Sequence, residues 1–133
     1  MKLILANQAD EKKLELFLEK NESINKASLI RAGYVVEVAE EIVGCFSLET
    51  MEEGIYWLKQ LYINQTNASK LPVLLESILT LAKQKQAKSV YVHSHQPVVD
   101  ILLEALQFHP QKEKLFVDKY RREEGNWWLY HVS

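Results

Sequence analysis

Cysteine is almost absent from this chain, with Cys45 standing alone among 133 residues. One thiol cannot form an internal bridge, so a disulfide scaffold is excluded and a reducing cytosolic setting is expected. Cys45 lies in the apolar run Ile42-Val43-Gly44-Cys45-Phe46, which marks a buried structural thiol rather than a nucleophile. Glycine and proline are also scarce, at four and three. There is no linker, no repeat and no low-complexity tract. No run of 18 apolar residues occurs, so no transmembrane helix is expected. The start, Met1 to Asn7, is too short for a signal peptide and reads as a first strand. Neither sign of charge dominates: 16 basic against 18 acidic residues leave −2. That balance argues against a nucleic-acid or anionic-membrane binder, which needs a basic surface.

What is present is hydrophobic patterning, at 47% of residues, enough for a core without staples. The length suits a single domain spanning 1–133. Lys2 to Ala6 is a short strand. Asp10 can cap a helix through Lys20, with Glu11 favourable in its first turn, a stripe of Leu14, Phe17 and Leu18, and a stop at Asn21. Ser23 to Ile30 is ambiguous and allows a short second helix. From Gly33 the period shortens. Tyr34 to Val38 and Ile42 to Leu48, around Ala39-Glu40-Glu41, read as a hairpin. Glu52-Glu53-Gly54 turns into a longer strand, Ile55 to Ile63.

The strongest helix carries Leu71, Leu74, Leu75, Ile78, Leu79 and Ala82 at helical spacing. Pro72 is tolerated only in a first turn, which sets the start near Ser69 to Leu71. Ser89 to His93 is a strand, Pro97 opens another helix, and His109-Pro110 ends it. Leu115 to Tyr120 and Trp127 to Val132 close the chain as strands around Glu124-Gly125-Asn126. Strand–helix–strand in the middle implies one parallel crossover. The expected class is α+β: a mixed, mostly antiparallel sheet with a central parallel strand pair and flanking helices.

The loop Asn64 to Pro72 feeds a helix amino terminus, where unpartnered N–H groups commonly hold phosphate. Such loops are usually rich in glycine, and this one has none.

In order and spacing the chain resembles a GNAT-superfamily N-acyltransferase. Val36 to Leu48 resembles that family's central hairpin. Gln60-Leu61-Tyr62-Ile63 resembles the strand before the coenzyme A loop, and Leu74-Leu75-Glu76 the helix after it. Val90-Tyr91-Val92 with Ile101 to Phe108 resembles the next strand and helix. The resemblance implies acetyl-CoA as co-substrate, lying between the fourth strand and the next parallel one. It implies transfer of its acyl group, by direct attack in a ternary complex, to a small-molecule or peptide amine. Leu61, Tyr62 and Ile63 would meet the pantetheine and acyl group through backbone atoms. Asn67, Ala68, Ser69, Lys70 and Leu71 would hold the pyrophosphate.

Two departures from the family pattern stand out. Thr66, Asn67, Ser69 and Leu71 occupy the positions of its arginine or glutamine and its glycines, and Pro72 removes one N–H. Leu103 stands where many members place a proton-donating tyrosine, and Gln107 replaces a glycine near the helix end. The alternative is therefore a non-catalytic binding or regulatory module on the same scaffold.

No general base is fixed by the sequence. Glu49, at the end of the third strand, and Tyr56, on the fourth, are candidates, against readings as a solvated strand end and amphipathic packing. His93 and His95, two apart, share a strand face but lack a third metal ligand, for which Asp100 and His109 are the distant options. No metal is expected, and His95 reads better as a cap for the Pro97 helix. Trp127, Trp128 and Tyr130 could line an acceptor pocket or a homodimer interface. The favoured reading puts the two tryptophans on opposite faces of a twisted sheet.

Overall fold

The structure is a computed structural model, described for residues 1–94, 96–111 and 126–132. Its elements follow the hydrophobic pattern closely. They are β1 (Lys2–Leu5), α1 (Glu11–Lys20), α2 (Lys26–Ala32), β2 (Gly33–Val38), β3 (Glu41–Glu52) and β4 (Ile55–Ile63), then α3 (Leu71–Gln84), β5 (Ser89–Ser94), α4 (Pro97–Ala105), β6 (His109–Pro110) and β7 (Asn126–His131). The expected strand at Leu115 to Tyr120, most of the following turn, and the capping role of His95 lie outside the described residues.

Strand order is β1-β2-β3-β4-β5-β7-β6. The parallel pair is β4–β5, joined through α3, and the flanking pairs β1–β2, β2–β3, β5–β7 and β6–β7 are antiparallel. This is the expected mixed sheet.

The residues group into two compact units: 1–49 with 58–71, and 50–57 with 72–133. In the first unit, Asp10 caps α1, its carboxylate accepting from the Lys13 N–H at 3.0 Å. Asn25 caps α2 in the same way, accepting from the Ser28 N–H at 2.9 Å, which settles the ambiguous stretch as a helix. Spacing of Leu14, Phe17 and Leu18 turns one face of α1 inward, and with Leu29 they pack on Val35 and Cys45. Each such large side chain contributes about 1.5–3 kcal/mol by leaving water.

Pairing of Val38 with Glu41 leaves a two-residue turn at Ala39–Glu40. Both residues are left-handed, φ 51° and 67°. Such a turn matches the twist of a hairpin and normally takes Asn-Gly. With Ala and Glu instead, the steric cost is roughly 1–2 kcal/mol per residue.

In the second unit, β5 alternates, with Val90, Val92 and Ser94 buried. Trp128, paired with Val92, reaches α4 and donates its Nε1–H to Asp100 at 2.8 Å. Trp127, one residue away, packs on Trp57 at 5.3 Å and on His93 at 5.1 Å. The tryptophans thus occupy opposite faces, as strand alternation requires. α4 ends with Gln107 at φ 74°, the Phe108 N–H returning to the Leu103 carbonyl at 2.9 Å and the Gln107 N–H to that of Glu104 at 3.1 Å. That closing pattern normally uses glycine, and here glutamine takes the left-handed position.

Candidate functional site

The residues expected at the coenzyme A end form a continuous stretch of the first unit. Leu61, Tyr62 and Ile63 finish β4 and are half-buried. The Asn64 N–H is bound by the Val43 carbonyl at 2.8 Å. β3 and β4 approach so closely here that a Cβ on Gly44 would overlap the Tyr62 carbonyl oxygen. Gly44, read in the sequence as part of the hairpin signature, is therefore required by contact.

The loop is not an open cradle. Gln65 to Lys70 wind into a 3₁₀ turn that runs directly into α3. The Asn64 side chain caps it, accepting from the Asn67 N–H at 3.1 Å and the Asn67 Nδ2 at 2.9 Å. The Asn67 N–H also meets the Asn64 carbonyl at 3.1 Å, and the Leu71 N–H meets Ala68 O. A 3₁₀ turn engages each N–H with the carbonyl three residues back. Its own geometry leaves the N–H groups of Gln65 and Thr66 outside that ladder. Asn67 is 9% exposed, whereas Ala68, Ser69 and Lys70 are exposed and Leu71 half-buried. The position of Pro72 near the start of α3 is as the sequence required, since a first-turn residue needs no intrahelical N–H bond.

β4 itself is irregular. Gln60 has φ 52°, a left-handed residue inside a strand. Its side-chain amide is tied to the cap of α2, accepting from the Asn25 N–H at 2.6 Å and donating to the Asn25 carbonyl at 3.4 Å. Its carbonyl accepts from the Cys45 thiol at 3.4 Å. Left-handed residues in a ladder mark bulges that redirect the strand. Reading for strands misses this, although two adjacent polar residues, Lys59-Gln60, interrupt an apolar run and are a usable signal.

Cys45 is fully buried, and burial pushes its thiol up to about 12. Neutral at ordinary pH, it is a structural thiol, as its apolar setting implied. Glu49 is bound by Arg31 at 2.6 Å and Lys59 at 2.8 Å. Burial pushes its carboxyl up, but hydrogen bonds and charge from Lys59 and Arg31 outweigh that and hold it below the usual value. A carboxylate held in its ionised form by two cations is a weak base.

Tyr56 is half-buried on β4. Leu103 is fully buried, a core residue of α4. Asp100 is committed to Trp128 and to Asn126, at 3.3 Å. Among the described residues no three metal-ligating side chains cluster, and among them no helix is long and apolar enough to cross a membrane.

A cavity of about 400 Å³ lies between α1, the β2–β3 turn and the end of β4, sharing Tyr62 and Asn64 with the stretch above. Phe17 and Tyr62, with rings 5.9 Å apart, contribute its aromatic lining. The side chain of Tyr62 belongs to this cavity, so any pantetheine contact would use its backbone.

No protein-family model matches the sequence, and no curated protein does. Solved structures do. A GNAT-family acetyltransferase from Staphylococcus aureus Mu50 superposes with a TM-score of 0.73 at 14% identity, covering 99% of both chains. An acetyltransferase from Bacillus subtilis in complex with CoA gives 0.74 at 13%, again over 99% of both. The Campylobacter jejuni N-acetyltransferase PseH gives 0.73 at 14%, over 99% of this chain and 98% of that one. This chain has the GNAT fold.

Proposed function

We propose that the chain is an acyl-CoA-dependent N-acetyltransferase. The observation that carries the proposal is the left-handed Gln60, set just before Leu61, Tyr62 and Ile63. A bulge takes backbone groups out of the strand ladder. Those groups then suit the amides of a pantetheine arm, and the CoA bound to the Bacillus subtilis relative supports that choice of ligand. The acceptor is a small-molecule or peptide amine. Its nitrogen attacks the thioester carbonyl, the C–S bond breaks, and coenzyme A leaves as a thiolate. The amine proton goes to solvent or to a water-linked base, since Glu49 is held as a weak one. Leu103 carries no proton, so water protonates the thiolate; general acids typically contribute ~10²–10⁴-fold, and the chemistry proceeds more slowly without one.

At the phosphate end, the reading rests on the N–H groups of Gln65 and Thr66, which lie outside the 3₁₀ ladder, and on the exposed Lys70 ammonium. Ser69 adds an exposed hydroxyl, whereas Asn67 has spent its N–H within the turn. A cytosolic enzyme fits the single buried cysteine.

The glycine-free 3₁₀ turn favours a second reading, a GNAT-fold module without acyl-CoA chemistry. Thermal melts with acetyl-CoA separate the two. Ligand at ~100 times its dissociation constant adds about 2.7 kcal/mol of stability. A rise in Tm, followed by thiol release with a panel of amines, supports the enzyme; an unmoved Tm at millimolar acetyl-CoA leaves the binding module.

A further inference from the structure

The cavity beside α1 has a composition that packing alone does not explain. Lys13 and Lys20, two turns apart on one face of α1, line one part of it. Glu40 and Glu41, from the hairpin turn, line another. Opposite charges thus border one space of about 400 Å³, yet among the described residues none of the four takes part in an ion pair. Lys20, Glu40 and Glu41 are exposed and Lys13 is half-buried, so the four charges sit at the rim of the cavity, in reach of a ligand from solvent. The rest of the lining is mixed: Phe17 and Tyr62, whose rings are tilted at 53°, and Leu16 and Ile42 are apolar or aromatic, while Asn21 and Asn64 add side-chain amides.

The turn supplies a second observation. Glu40 is held left-handed, beside a left-handed Ala39, where Asn-Gly would sit without strain. Strained residues cluster at ligand sites, and this one sets a carboxylate at the cavity rim. Glycine at 40 would relax the turn and remove the carboxylate from the cavity.

We infer that this cavity is a binding site for a zwitterionic α-amino acid with a large apolar side chain. The carboxylate faces Lys13 and Lys20, the ammonium faces Glu40 and Glu41, and the side chain lies on Phe17 and Tyr62. The volume is within the range of small-molecule sites, which are mostly apolar with a few convergent polar groups. The site does not depend on acyl-CoA binding or turnover, so it stands or falls separately from the enzymatic reading.

Calorimetric titration and thermal melts test it, using the whole chain with L-phenylalanine and L-leucine at up to about 10 mM. Saturable heat and a raised Tm with either amino acid are expected. For the one-charge analogues 3-phenylpropionate and 2-phenylethylamine, affinity lower by about tenfold or more is expected, because each leaves one pair of charged groups unanswered. The double variant K13Q/K20Q should weaken phenylalanine but spare phenylethylamine, and E40Q/E41Q should weaken phenylalanine but spare phenylpropionate. E40G gives a readout that a folding defect cannot imitate: Tm without ligand rises while affinity falls. The proposal is overturned if neither amino acid gives heat or a Tm shift, if the one-charge analogues bind equally well, or if E40G binds undiminished.

Discussion

Two glycine-free turns in the first unit solve the same shortage in opposite ways. The segment after β4 lacks the glycines its position suggests, and its backbone avoids needing them. Asn64 is extended, Leu71 is right-handed, and the residues between wind into a 3₁₀ turn. The β2–β3 turn also lacks glycine, but there the backbone remains left-handed at Ala39 and Glu40. In the first case the backbone needs no left-handed residue; in the second it is left-handed and the residues carry the strain. A missing glycine is thus informative only beside the dihedrals of the position. Gln107 at the end of α4 and Gln60 within β4 belong with the strained turn, while Gly54, at φ 76°, and Gly44 show glycine retained where turn geometry or contact demands it.

Substitutions can break this contrast. The largest effect is expected at Gly44, where no rotation can rescue an added Cβ from the Tyr62 carbonyl. Gly44→Ala should cost about 2–3 kcal/mol in urea unfolding, as overpacking against backbone does. A loss near zero would mean that β3 and β4 separate easily. Next is the strained turn. Replacing Ala39-Glu40 by Asn-Gly should stabilise by about 1–2 kcal/mol through relief of left-handed strain. An unchanged or lowered midpoint would place the strain elsewhere. The relaxed turn after β4 should respond in the other direction. Asn64→Ala removes the cap from the Asn67 N–H and should cost about 1 kcal/mol. If acetyl-CoA binds at this loop, the same change frees the Asn67 Nδ2 donor while the Asn67 N–H keeps the carbonyl of residue 64, so its effect on the ligand-induced Tm shift reads whether that side-chain amide is in competition.

The smallest effect is electrostatic. Glu49 is held below its ordinary value by Lys59 and Arg31, despite the upward push of burial. The folded state therefore favours its ionised form. The resulting stability is present above the unfolded carboxyl value and is lost as pH falls through the folded one. Screening at a surface-facing pair keeps the gain below about 1 kcal/mol. Urea midpoints of the parent and Glu49→Gln should differ at neutral pH and converge in acid; a constant difference would assign the effect to packing.

Much of the fold was legible in the sequence because local rules and tertiary needs agree. Asp10 caps α1, Asn21 stops it, Pro72 fixes the start of α3, and Trp127 and Trp128 part to opposite faces, all through short-range geometry. The order of strands and one helical crossover then suffices to name the mixed sheet. The stretch from Leu61 to Leu71 falls at the end of β4 and in the turn after it, as its pattern implied, but the form of that turn was not legible. Nothing local says whether Asn67 offers its N–H to a ligand or to Asn64, since both use the same donor. The polar pair Lys59-Gln60 marks a break in the strand pattern, but not that Gln60 turns left-handed, because its partners at Asn25 and Cys45 are distant in sequence. Lys13 and Glu40 meet at one cavity for the same reason. Periodicity and capping are written within a few residues of chain, and they determined the elements and their order. Donor availability, left-handed strain and the joining of distant charges depend on what the finished fold brings close, and only the tertiary structure decided them.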